Sequence, residues 1–265
     1  MARAQNKGAE GRLPLFFKEP LLVSSNTHGD WKIREGDYSF AADAVSIPLS
    51  VGEIMTAGHD YPVLFAGAKA APVALVGVKD ANLFVENGRW ASDVYIPAYV
   101  RRYPFSTVTV GEDQNVVLMV DAASDRVVKG GAEAAGGSIH PLFVDGKPSD
   151  YTKRLMAFCD QFHRDAQNTE AFGVALAESG ILTDRRAEMS GPDGSDRLSI
   201  SGFQVVDTKR LMELPDDIVL DWHQKNWLAL IHYHLASLGR FAALGRKREE
   251  RRKGAFAQSD METAA

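Results

Sequence analysis

The chain has 265 residues, 45% hydrophobic and 25% charged, with a formal net charge of -5. This is ordinary globular composition with enough apolar material for a large core, and the mild negative charge argues against a general nucleic-acid binder, which needs a broad basic surface. The single cysteine, Cys159, excludes an intrachain disulfide and a cysteine-cluster zinc site, and the longest apolar runs, such as Pro72 to Val78, are far too short to span a bilayer.

Residues 1 to 12 are small, polar and charged and read as a disordered tail. They contain no apolar stretch of the kind a cleavable secretory signal requires. The expected location is the cytoplasm; the alternative is the cell surface, reached by a route that needs no such signal. Leu13 to Val23 reads as short strands interrupted by Pro14 and Pro20, which suits a sheet edge. His28-Gly29-Asp30 is a turn, Trp31 to Ile33 is strand-like, and Val45 to Leu49 is a short apolar run. Ser50 and Glu53 have the spacing of a capping box, which predicts a short helix over Val51 to Ala57. Tyr61 to Phe65, Pro72 to Val78 and Asn82 to Val85 are β-rich. Asn87-Gly88 is a strong hairpin signal because both residues tolerate positive φ, with Arg89 and Trp90 starting the returning strand.

Tyr95 to Phe105, YIPAYVRRYPF, joins the β-rich half to the rest. Ile96, Tyr99, Val100 and Tyr103 recur at helical spacing and predict one buried face. Pro97 suits a first helical turn, and Pro104 ends the segment. Neighbouring residues on a helix are about 100° apart, so one of Arg101 and Arg102 points inward, where a buried ion pair is expected. The stretch reads as a structural clamp between the halves. Arg101, Arg102, Tyr95 and Trp90 are the candidate binding residues, with an acidic partner expected if the arginines are exposed.

Thr107 to Val110 and Val116 to Val120 predict a hairpin across Gly111 to Asn115. Gly130 to Ser138 is rich in Gly and Ala and reads as a loop; no helix follows it, which weakens a phosphate cradle. Ser149 or Asp150 caps a helix from Tyr151, with Leu155, Met156, Cys159 and Phe162 on its apolar face and Cys159 a buried thiol. A second helix, Thr169 to Glu178, ends at Gly180. Arg185 to Met189 and Leu198 to Val206 form a hairpin across Gly191 to Gly194, and Asp207 to Glu213 is a short helix. A long helix runs from Asp216 to about Arg248 with Leu228, Ile231, Leu235, Leu238 and Ala242 inward, and its basic end suits a helix C-terminus. The tail after Gly254 reads as disordered.

Several segments in fixed order carry a resemblance: Tyr61-Pro62-Val63-Leu64-Phe65, Pro72 to Gly77, Asn82-Leu83-Phe84 and Trp90. Tyr95-Ile96-Pro97, Arg101 to Phe105, Ser201-Gly202-Phe203 and Ala236-Ser237-Leu238 complete it. In these the chain resembles the SapC family of bacterial proteins from about residue 13 to 248. The family label derives from a surface-array association, so the resemblance implies an accessory or interaction role, possible attachment to a surface layer, and no catalytic residues to carry over. A transport permease of the same name is unrelated, and the lack of long apolar runs separates it from this chain.

The rival reading is an iron-dependent, 2-oxoglutarate-type oxygenase. His28-x-Asp30 has the spacing of two ligands of a two-His-one-carboxylate site, and His140 is the candidate third, with Fe2+ as cofactor. The bland reading of His28-x-Asp30 is a polar turn. His232 and His234 are two residues apart on a helix and point to different faces, so hydrogen bonding at the helix surface or edge is expected of them. No Gly-x-Ser-x-Gly elbow, Walker loop or dinucleotide fingerprint occurs. The expected architecture is α+β: an antiparallel β-rich segment, 13–148, packed with helices of 149–248 as one domain, between tails at 1–12 and 249–265. The expected function is a non-catalytic accessory or interaction protein without a cofactor, taking an unknown protein partner or a second copy, with no nucleic acid and no membrane span.

Overall fold

The computed structural model describes residues 13–110, 115–130, 138–189 and 197–263. The N-terminal tail, the loops expected near 111–114 and 131–137, and the turn at 191–194 lie outside the described residues. The helices are α1 (Ser25–His28), α2 (Ile54–Gly58), α3 (Ala98–Arg101), α4 (Asp150–Ser179), α5 (Thr208–Met212), α6 (Asp216–Gln224), α7 (Trp227–Ser237) and α8 (Arg240–Thr263). The strands pair antiparallel throughout, so the class is α+β. The chain divides into two compact units, each built from two segments: Met1–Gly36 with Tyr103–Met156, and Asp37–Arg102 with Ala157–Ala265. The division falls inside the stretch Tyr95 to Phe105, between Arg102 and Tyr103.

The first unit is built on the hairpin Phe105–Val110 with Asn115–Asp121, where Phe105 lies opposite Val120. Strand Pro20–Leu22 pairs with the outer side of Asn115–Asp121 and is a sheet edge, as its proline suggested. The expected strand pairing of Leu13 to Lys18 does not form; this segment makes a turn closed by Phe17 N donating to Pro14 O. Asp121 is fully buried and ties the unit together. It accepts hydrogen bonds from the Tyr103 hydroxyl at 2.8 Å and from Glu19 N at 2.7 Å. Strand Lys32–Arg34 is central in a second small sheet, between Val127–Val128 and Ile139–Pro141. Ser149 caps α4, accepting from Thr152 N at 3.2 Å.

The second unit holds a five-stranded sheet in the order Leu182–Met189, Leu198–Val206, Val63–Ala66, Ala71–Leu75, Ser46–Pro48. Its first two strands come from the late hairpin and its last three from the early chain. Helix α7 packs on the two strands Val63–Ala66 and Leu198–Val206, and also on α2. Phe65, Phe172, Ile54, Ile231 and Leu244 are fully buried between these layers. The Asn87-Gly88 turn forms as expected, with φ of 49° and 74°. Asn82 to Val85 does not continue as one strand: it divides between two short hairpins, Gly77–Val78 with Ala81–Asn82 and Val85–Glu86 with Arg89–Trp90.

Three helical expectations change. The two helices expected over 151–178 are one, α4, because nothing between Phe162 and Thr169 breaks it; Gly180 at φ 72° follows its end. The single helix expected over 216–248 is three. Asn226 takes a left-handed φ of 59°, which separates α6 from α7 and brings Trp222 and Trp227 to 6.2 Å. Leu238 and Gly239 separate α7 from α8, which then runs through Gly254 to Thr263. Ala242, expected inward, is exposed, and Leu244 is buried instead.

His234 is a clear departure, since its hydrogen bonding was expected at the helix surface or edge and the residue is 0% exposed. Strands Val63–Ala66 and Leu198–Val206 pair at Phe65 and Gln204, and continuing that register sets Val63 opposite Val206. The imidazole fills the gap between them. Val206 N donates to Nε2 at 3.1 Å, and Nδ1 lies 2.7 Å from Val63 O, so the ring is neutral with its proton on Nδ1. Ser237, one turn on, accepts from Val63 N at 2.9 Å and donates to His234 O at 2.6 Å. Helix α7 thus takes up backbone groups of both strands.

Candidate functional site

Glu53 is the hub of the second unit's polar interior. The capping box predicted from Ser50 and Glu53 forms, with Val51–Glu53 as a 3₁₀ turn leading into α2. The carboxylate does more than cap. Oε2 accepts from Ser50 N and Ser50 Oγ, both at 2.9 Å. Oε1 accepts from the Tyr95 hydroxyl at 3.0 Å and from Ala98 N, at the start of α3, at 2.6 Å. Four donors therefore satisfy one buried carboxylate. Burial first, and then the Glu53 charge, push the Tyr95 phenol up to about 12.

The candidate residues from the β-rich half join this hub through a chain of hydrogen bonds. Trp90 is buried and its Nε1 donates to the Tyr61 hydroxyl at 3.0 Å. The Tyr61 hydroxyl donates to the backbone oxygen of Tyr95, and burial raises its pKa well above the phenol range. Tyr95 N donates to Asp60 Oδ2 at 2.8 Å. Arg101 donates from Nε to Ile96 O at 3.0 Å and from its terminal nitrogen to the Tyr95 hydroxyl at 3.2 Å.

The two arginines do face different ways. Arg101 is exposed, whereas Arg102 is 8% exposed. The Arg102 guanidinium carbon sits 4.1 Å from the centre of the Tyr99 ring and 4.4 Å from that of Phe162, on α4. A cation between two ring faces is attracted by both quadrupoles and suits the flat guanidinium. Helix α3 is shorter than the spacing suggested, Ala98–Arg101, and Pro97 is its N-cap rather than its first residue. Cys159, on the same helix as Phe162, is buried, and burial pushes its thiol up to about 11 against the opposing pull of Arg102.

Tyr99 and Phe162 also wall an open apolar cleft of 410 Å³. Pro48, Leu49 and Pro72, at the Ser46–Pro48 edge of the sheet, make its other wall. Thr169 closes one end; its hydroxyl accepts from Val51 N at 2.9 Å and donates to Asp165 O at 2.6 Å. An ion pair between Lys69 and Glu170 stands at the rim. The cleft is thus apolar inside, and the polar groups nearest it are engaged with one another.

The proposed iron ligands lie elsewhere, in the first unit. His28 ends α1, and its Nδ1 accepts from Ser24 N at 3.0 Å while its ring lies 4.4 Å from that of Trp31. His140 stacks on Tyr151 at 4.5 Å, and its Nε2 lies 3.6 Å from Glu35. Among the described residues no three His, Cys, Asp or Glu side chains are grouped to hold a metal, so His28, Asp30 and His140 do not make the expected three-ligand set. Glu53, Tyr61, Tyr99 and Phe162 were not singled out as site residues from the sequence. The capping-box spacing located Glu53, but nothing local signalled that its second oxygen reaches Tyr95 and Ala98.

The fold and the site define an α+β protein with antiparallel sheets, whose buried carboxylate is engaged in structure and whose open cleft is apolar. A sequence model of the SapC family matches residues 23–244, and the chain belongs to that family. No curated protein and no solved structure matches it. No helix among the described residues is long and apolar enough to cross a membrane.

Proposed function

We propose that this SapC-family protein is a non-catalytic accessory protein that binds a protein partner through the cleft walled by Tyr99 and Phe162. The observation that carries the reading is the pairing of an open apolar cleft with the four donors on Glu53. A carboxylate whose oxygens are all engaged by the protein's own N–H and O–H groups is built to hold Ser50, Tyr95 and α3 in place, and the cleft beside it offers ring and proline surface to an apolar side chain. The family label supports a narrower form, in which the partner belongs to a surface layer.

Ala166 lines the cleft from an exposed position on α4, so Ala166→Trp fills it without touching the core. The wild-type chain and this variant are cross-linked in the producing cells and the attached proteins identified. A defined partner, attached at the cleft in wild type and lost in the variant, is the expected result; identical cross-links for both overturn the reading. Fractionation of the same cells tests the narrower form, which recovery of the chain away from the cell surface would remove.

A further inference from the structure

The opposite edge of the five-stranded sheet carries a second, larger groove. It runs between the hairpin Leu182–Met189 with Leu198–Val206 and the elbow where α7 meets α8. One stretch has a volume of 630 Å³ and the next 580 Å³, and they share Ala187 and Phe241. The floor is apolar: Phe203 and Phe241 lie 6.0 Å apart, with Leu235 and Leu238 beside them.

The rim is basic although the chain as a whole carries a net charge of -5. Arg185, Arg186, Lys209 and Arg246 line it, are exposed, and make no ion pair among the described residues. Three carboxylates share the rim, two of them already engaged. Asp207 caps α5, and the N–H groups of Arg210 and Lys209 hold its pKa below the usual carboxylate range. Glu249 accepts from Arg252 at 2.7 and 3.2 Å. Glu188 is the third.

We propose that this groove is a docking site for an acidic protein segment that carries apolar side chains, which would fill the Phe203–Phe241 floor while its carboxylates meet the rim. Charge complementarity selects this occupant. Exposed cations around an apolar floor attract an acidic chain from a distance and reject a basic one. The apolar floor argues for a peptide over a nucleic acid, whose backbone would use the rim and leave the rings uncovered. The edge strand Leu182–Met189 has a bulge between Arg185 and Ala187 and charged side chains, devices that oppose strand-to-strand addition and leave the face groove as the place of contact.

This site goes beyond the cleft reading and is tested separately from it. The probe is a fluorescein-labelled peptide of Asp, Glu, Leu and Phe, titrated with the full chain and followed by anisotropy. Companion peptides replace the acids by Asn and Gln, or Leu and Phe by Ser. Binding of the acidic apolar peptide, weaker in both companions and falling with added salt, is expected. The double variant Arg185→Glu/Arg186→Glu, and separately Arg246→Glu, should weaken it, the double variant by at least about tenfold. A Lys/Arg, Leu and Phe peptide should bind the double variant better than wild type, which also shows that the variant is folded. Ala166→Trp should leave the affinity unchanged. The proposal is overturned by no binding, by equal binding in the charge variants, or by tighter binding of single-stranded DNA or of phosphatidylglycerol vesicles than of the peptide.

Discussion

Protonation of His234 is expected to destabilise the fold in a defined pH window. The ring bridges Val63 O and Val206 N as a neutral imidazole, and burial pulls its pKa down to about 4, with the hydrogen bond to Val63 acting the other way. In the unfolded chain the ordinary value is 6.5. Between these values the unfolded state binds a proton that the native state refuses, so stability rises with pH across the window. Its contribution is intact above pH 6.5 and is lost as the pH falls towards 4. The loss follows from 1.36 kcal/mol per pH unit: about 2 kcal/mol by pH 5 and about 3 kcal/mol by pH 4. Urea denaturation at a series of pH values measures it, with His234→Gln as the non-titrating control. The gap between variant and wild type should narrow by about 2 kcal/mol from pH 7.5 to pH 5. Parallel curves for the two proteins would refute the bridging, neutral histidine.

Glu53→Ala strands the donors of Ser50, Tyr95 and Ala98 inside the second unit and should cost about 3 kcal/mol in denaturant unfolding; an unchanged midpoint would mean that these groups find other partners. Arg102→Ala loses a desolvated cation between two rings and should cost about 2 kcal/mol, against about 0–1 for Arg101→Ala. Equal midpoints for the two arginine variants contradict the inward placement of Arg102. Untagged protein analysed for metals should contain well under one iron or zinc per chain; one equivalent that disappears in His28→Ala would restore the oxygenase reading.

What residue order determined by itself is the chemistry that acts over three or four residues. The Ser50 and Glu53 capping box, the Asn87-Gly88 turn and the Gly180 stop all formed where their spacing placed them, because each depends on backbone groups a few bonds away. The alternating runs marked the strands, and motif order marked the family. Burial was not legible in this way, because it depends on what another part of the chain brings up. Periodicity allowed one helix over 216–248, whereas packing Trp222 against Trp227 goes with a left-handed Asn226. Likewise the spacing of His232 and His234 says that they face apart but not which one is inside. Tertiary structure decided that when Val63 and Val206, 143 positions apart in the chain, came to lie on facing strands with a donor and an acceptor that the imidazole of His234 satisfies.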